Sequence, residues 1–220
     1  MTAFWLAAAA LVLLVVASPS SPSGPPPGVE LVVRGRATWA IGPASSLGVV
    51  LGGDASQAAA LRSAWAVASG PMFDGGRPEY LVRDDAAGVD VATRYPSRGA
   101  AVSVVDGLAY VAAGAEVLGS AAVVVQGYPR LVDAGRVVEV ADSPRVRRVA
   151  LAVMPGGARV ALVSFTGTMA DLARELVDGG AVDAVYLDGG RAAHLEAGGA
   201  SVMSFDPAER PAAWIVLGRA

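Results

Sequence analysis

The sequence predicts an α+β domain: a mixed, largely antiparallel β-sheet core with two main helices packed on it. Three observations predict it. Short Val-rich runs of strand length recur along most of the chain, only two stretches carry helical periodicity, and one tight turn signal joins two of the apolar runs directly. Regular alternation of strand and helix, the mark of a doubly wound fold, is absent.

In chain order, residues 1–17 hold an apolar run, Ala3 to Ala17, shorter than the ~20 residues that a membrane-spanning helix needs. Val15-Val16-Ala17 supplies small-residue spacing for cleavage, and no Lys or Arg precedes the run. The segment is a signal peptide or a signal-anchor. Residues 18–28 are rich in Pro and Ser and form a linker, and residues 29–220 form the folded domain.

Within the domain, "VELVV", "SLGVVL", "AAVSVV", "AAVVVQ", "RVVEV", "RRVALAVM", "ARVALVSF", "DAVYL", "ASVMSF" and "AWIVL" are expected strands. "MPGGA" makes the segment from Arg148 to Phe165 an antiparallel hairpin. One helix is expected in "GTMADLARELVDGG", with Thr168 as cap, Asp171 at capping-box spacing, an apolar stripe from Met169 to Val177, and Gly179-Gly180 as its stop. The other is expected over residues 56–68, capped by Ser56.

Composition excludes several function classes. With 54% hydrophobic and 17% charged residues the chain is folded rather than disordered. A net charge of −3 and no basic run leave nucleic acid without an electrostatic footprint. Every one of the 17 basic residues is Arg, a bias that fits codon supply in an Ala/Gly/Val-rich chain better than phosphate binding. Lack of Cys removes disulfides, thiol nucleophiles and thiolate metal sites, and a single His removes a multi-histidine metal centre. No cofactor is expected, and no ligand spacing calls for a divalent cation. Walker, Rossmann, zinc-protease and nucleophile-elbow motifs are all absent.

Chemistry must therefore rest on carboxylates, arginines, hydroxyls, the one imidazole or backbone dipoles. Asp188-Gly189-Gly190 ends the run "AVDAVYL", where strand ends commonly meet ligands, although Asp and Gly also make ordinary turns. A second Asp-Gly-Gly-Arg at Asp74 to Arg77 shares nothing with it beyond the turn. His194 and Glu196 lie two apart and would share one face of an extended strand. In "SPRVRR", alternation would put Arg145 and Arg147 on one face and Arg148 on the other.

Four stretches, in order, resemble the phosphodiester glycosidase domain family, which includes the lysosomal uncovering enzyme and bacterial envelope proteins. They are "AWAVASGPMFDGG", "VVVQGYPRLVDAGRVV", "SPRVRRVALAVMPGGARVALVSF" and "TMADLARELVDGGAVDAVYLDGGRAAHLE". Departures from the family pattern are Ser69 in place of Asn, Pro71 in place of a small residue, Val149 in place of Thr or Asn, and Arg191-Ala192-Ala193 in place of a Ser-rich continuation.

The resemblance implies an exported hydrolase, in the secreted or cell-envelope compartment, that cleaves a sugar-1-phosphodiester on a glycan or glycoconjugate. Asp188 would act as base or nucleophile and Arg148 would clamp the phosphate, with amides of Gly189 and Gly190 as further donors. Ser69 and Gln126 would orient sugar or phosphate; His194 or Glu196, which the family pattern does not carry, could supply a general acid. The expected partner is a carbohydrate or phosphoglycan, with membrane contact only through residues 3–17 if they are retained. The alternative is a catalytically degenerate module that binds a glycan or phosphoglycan in the envelope.

Overall fold

A computed structural model of the chain describes residues 28–116 and 120–218, so the expected signal segment and nearly all of the linker lie outside the described residues. The expected hairpin is the centre of the fold. Val146–Val153 and Arg159–Gly167 pair antiparallel from Val146↔Gly167 to Val153↔Val160, across the turn that Gly156 and Gly157 allow with positive φ. Around it a seven-stranded sheet runs in the order Glu30–Arg34, Ala37–Pro43, Arg159–Gly167, Val146–Val153, Asp183–Gly189, Arg130–Asp133, Arg136–Val137.

A second sheet holds Leu108–Ala113, Ala100–Val105, Val123–Gly127, Val82–Asp84 and Val89–Val91, and a third holds Ala200–Met203, Leu195–Ala197, Ala66–Ser69, Ala213–Leu217 and Leu47–Leu51. Residues from all three sheets, among them Val49, Ala68, Val102, Val125, Leu151, Leu187 and Ile215, meet in one apolar core. Strands buried on both faces explain the near-continuous Val runs.

Helix α2, Met169–Asp178, closes the opposite face of the first sheet. Thr168 and Asp171 form the reciprocal capping box, and Leu172, Ala173 and Leu176 are buried with Trp39, Phe165 and Tyr186. Helix α1, Ala55–Arg62, covers the third sheet through Ala55 and Ala58 against Val67 and Trp214. Among the described residues no helix is long and apolar enough to cross a membrane.

Three expectations need correction. Every pairing among the described strands is antiparallel, so the core is not mixed, and the domain is mostly β with two helices. Helix α1 is capped by Asp54 rather than Ser56 and stops at Ser63, whose φ of 46° is left-handed. Beyond it Ala66–Ser69 is a buried strand paired on both sides, so tertiary pairing overrides the helix propensity of an Ala-rich run. Of "RVVEV", only Arg136–Val137 is strand.

Candidate active site

Asp188 lies near the end of the strand Asp183–Gly189, between the core hairpin and the strand Arg130–Asp133. Pairing with the hairpin slips there: Ala150 faces Tyr186 while Arg148 faces Gly189, so the strand carries one extra residue beside Asp188. Such an irregularity re-aims a side chain at the rim of a sheet. The carboxyl is only 8% exposed, and burial pushes its pKa up to about 7, helped by the Glu209 charge and opposed by the Gly189 amide. That amide donates to Asp188 Oδ1 at 2.6 Å.

Tyr186, two residues earlier, is buried with the α2-side cluster, and burial and the Asp188 charge push its phenol up to about 12. Its hydroxyl lies against Gly189, where any Cβ would overlap it, so glycine is needed for close approach. Gly190 adopts φ +64°, which turns the chain out of the sheet. Nothing in the sequence reading pointed to Tyr186, although its i−2 spacing to Asp188 on a strand was the available signal.

Arg148 is 2% exposed, with its guanidinium 5.7 Å from the Tyr186 ring centroid. Its Nε donates to Gly167 O at 2.8 Å, and its Nη2 donates to Pro144 O at 2.5 Å and Ser143 Oγ at 3.1 Å. These contacts tie residues 143–144 to the start of α2 and leave Nε and Nη2 no capacity for a phosphate fork, which departs from the expected clamp. Arg147 and Arg148 do leave opposite faces: Arg147 Nη1 donates to Ser204 O. Arg145 precedes the strand, escapes its alternation and pairs with Asp171 on α2 at 3.2 Å.

The expected backbone donors are also committed. Gly189 N serves Asp188 itself, and Gly190 N donates to Arg147 O at 2.7 Å. Gln126, fully buried, accepts from Leu81 N at 3.0 Å and donates to Tyr95 O at 3.0 Å and Arg98 O at 2.8 Å. Its amide fastens the loop 95–98 to the second sheet instead of facing a ligand.

Ser69 and His194 are brought together. Ser69 N donates to His194 O at 3.1 Å, and Ser69 Oγ accepts from His194 N at 3.2 Å. This pairing anchors the chain that returns from the Asp188 loop. The imidazole is 4% exposed, sits edge-on between Phe205 and Trp214 with both centroids 5.4 Å away, and has no hydrogen-bond partner on either nitrogen. Burial pushes its pKa down to about 4. Nε2 lies 3.9 Å from Glu196 Oε2, as the shared face implied, but a neutral ring at that separation forms neither ion pair nor hydrogen bond near neutral pH.

Arg191, in the loop after Gly190, is the cation that faces solvent. Its side chain is 63% exposed and pairs with Asp206 at 2.9 Å and Glu209 at 4.0 Å. Asp206 N donates to Arg191 O at 2.6 Å, so the segment from Asp206 to Glu209 is strapped over the Asp188 loop. Among the described residues no group of three or more carboxylate or imidazole side chains gathers in a metal-binding arrangement.

The comparisons with known proteins fit this architecture. A family model described as phosphodiester glycosidase matches residues 62–217. The zebrafish N-acetylglucosamine-1-phosphodiester alpha-N-acetylglucosaminidase catalytic domain, auto-inhibited by its pro-peptide, superposes with a TM-score of 0.67 at 14% identity, over 87% of this chain and 82% of that one. A protein from Synechocystis superposes with a TM-score of 0.56 at 14% identity, over 86% of this chain and 61% of that one. A protein from Burkholderia pseudomallei described as exported gives 0.57 at 13% identity, over 83% and 73%. No curated protein matches the sequence.

Proposed function

The chain belongs to the phosphodiester glycosidase family, and from that premise we propose that it hydrolyses a sugar-1-phosphodiester with Asp188 as its general base. The observation that carries the reading is the buried Asp188 carboxyl at a strand end, with its pKa pushed up to about 7. A carboxyl tuned to that range exchanges a proton at neutral pH, which an ordinary surface Asp does not do well.

Water adds to the anomeric carbon, the bond from C1 to the phosphate oxygen breaks, and the phosphate leaves as a monoester anion. Asp188 accepts the proton that the water loses. An ordinary glycosidase needs a second carboxyl to protonate an alkoxide leaving group, whereas a phosphate departs without that help. Because the Nε and Nη2 donors of Arg148 are bonded inward, the exposed Arg191 takes the phosphate, exchanging Asp206 and Glu209 for it. The substrate is a glycan or glycoconjugate outside the cytoplasm, in keeping with the export-type segment at residues 1–17.

One observation favours a second reading. Gly189, Gly190, Ser69 and Gln126 all direct their donors or acceptors into the protein, which suits a module that binds a glycan without turning it over. Release of phosphomonoester and free sugar from a panel of sugar-1-phosphodiesters separates the two. Turnover by the full chain that disappears in Asp188→Asn supports the hydrolase, and a folded chain inert across the panel would leave the binding module.

A further inference from the structure

Beside the Asp188 strand lies a cleft of about 460 Å³ that nothing above assigns. Tyr128, Arg130, Glu139, Asp142 and Ser143 contribute to its lining. It flanks the Arg148–Tyr186 pair: Ser143 Oγ accepts from Arg148 at 3.1 Å, and Tyr128 N donates to Tyr186 O at 2.9 Å. The cleft and Asp188 thus share one structural wall.

Its chemistry is specific. Tyr128 is 39% exposed, while behind it the buried Tyr80 ring stacks at 6.2 Å with an interplanar angle of 13°. Tyr95 packs on Tyr80 at 5.7 Å, and the Arg98 guanidinium lies 4.7 Å from the Tyr95 ring centroid and 5.9 Å from that of Tyr128. Gln126 holds the carbonyls of Tyr95 and Arg98 from within, so a buried amide with three backbone partners sets the position of this aromatic group. The cation of the cleft, Arg130, is neutralised by Asp133 at 2.7 Å and Asp183 at 2.5 Å. Glu139 and Asp142 are exposed at the same cleft.

A partly exposed, pre-positioned aromatic ring, two carboxylates able to accept hydroxyl hydrogens and no unpaired cation among the lining residues fit a neutral pyranose better than a phosphate, with Arg98 beside the Tyr128 ring rather than in the cleft wall. We propose that this cleft is a saccharide subsite that stacks an uncharged sugar ring on Tyr128 and takes its hydroxyls on Glu139 and Asp142. It deepens the hydrolase reading by giving the carbohydrate beyond the scissile bond its own seat, yet it rests on geometry that the binding-module reading shares.

The test is calorimetric titration of the full chain with a trisaccharide of N-acetylglucosamine and with maltotriose. At least one is expected to bind saturably. Tyr128→Ala should weaken it roughly three- to tenfold, as loss of one stacked ring does, while Tyr128→Phe keeps it within about twofold. The exposed pair Glu139→Gln/Asp142→Asn, which leaves the core untouched, should weaken it on a similar scale. Absence of saturable binding to both sugars overturns the proposal, and so does binding that neither the Tyr128→Ala nor the double variant reduces. Asp188→Asn is expected to bind as the parent does: Tyr128-dependent binding without turnover would remove the hydrolase and leave the subsite standing.

Discussion

Ser143 links Arg148 to helix α2. Its hydroxyl oxygen accepts from Arg148 Nη2 at 3.1 Å and from Met169 N, the first amide of the helix, at 2.8 Å. Arg148, read from sequence as a ligand for phosphate, is thereby a fastener between the hairpin, the segment before it and the helix N-terminus.

The first prediction concerns that fastener. Arg148→Ala leaves the carbonyls of Gly167 and Pro144 without their buried donor, and Arg148→Lys cannot reproduce the planar fork. Both should lower unfolding stability by about 2–4 kcal/mol in urea titration, with Ala the more severe. A variant as stable as the parent but defective only in substrate binding would restore the clamp.

Asp188 gives a pH signature. Its folded pKa, about 7, lies above the ordinary 3.8, so the folded state holds the proton more tightly than the unfolded chain. Stability is therefore fullest below the unfolded value and is lost as pH rises toward 7, by at most about 4 kcal/mol. Asp188→Asn should flatten that slope and be the more stable form at pH 8. Hydrolysis by the parent should rise along a limb centred near 7, and this is read from the pH profile of kcat/KM.

His194 runs the other way. Burial holds its folded pKa near 4, below the 6.5 of an ordinary imidazole, so its contribution is present above 6.5 and is lost as pH falls toward 4. As the only histidine of the chain, it gives one imidazole signal in NMR, whose titration midpoint should lie near 4. His194→Phe, which keeps an aromatic ring against Phe205 and Trp214, should remove this acid sensitivity.

Gln126 offers a clean contrast between support and recognition. Gln126→Leu keeps the volume but strands Leu81 N and the carbonyls of Tyr95 and Arg98. A loss of about 2–3 kcal/mol in thermal or urea unfolding is expected. Hydrogen exchange should be fastest around the loop 95–98. A rise in KM at unchanged stability would instead assign the amide to the ligand.

Much of the architecture was legible because its signals are local. The hairpin at "MPGGA" and the capping box of Thr168 with Asp171 are written in a few adjacent residues, and both form as expected. The strand Ala66–Ser69 was hidden because its identity depends on partners at residues 195–197 and 213–217, which no window of Ala-rich sequence reveals. The strand Ala37–Pro43 escaped notice too, being buried on nearly every residue and so lacking alternation. At the site, residue types named Asp188 and its neighbours, but whether Arg148, Gln126 or Gly190 faces a ligand or the protein is decided by hydrogen bonds to distant carbonyls and amides. Tyr186 became visible only once the sheet put it beside Gly189.

The tetrapeptide Asp-Gly-Gly-Arg occurs in two settings. At residues 74–77 it is a two-residue hairpin turn, Asp74 facing Arg77 across two glycines of positive φ, with the Asp74 carboxylate paired to Arg94 at 3.1 Å. At residues 188–191 Asp and the first Gly belong to a strand, and Arg191 is free to reach across to the segment at Asp206. For evolution the second setting separates what can drift from what cannot. Exchanges at Arg191 alter the face offered to a ligand at little cost to folding, whereas exchanges at Arg148 or Gln126 threaten the protein itself. A change in what the rim presents is thus accessible by single steps, with the interior acting as the ratchet that keeps the carboxyl in place.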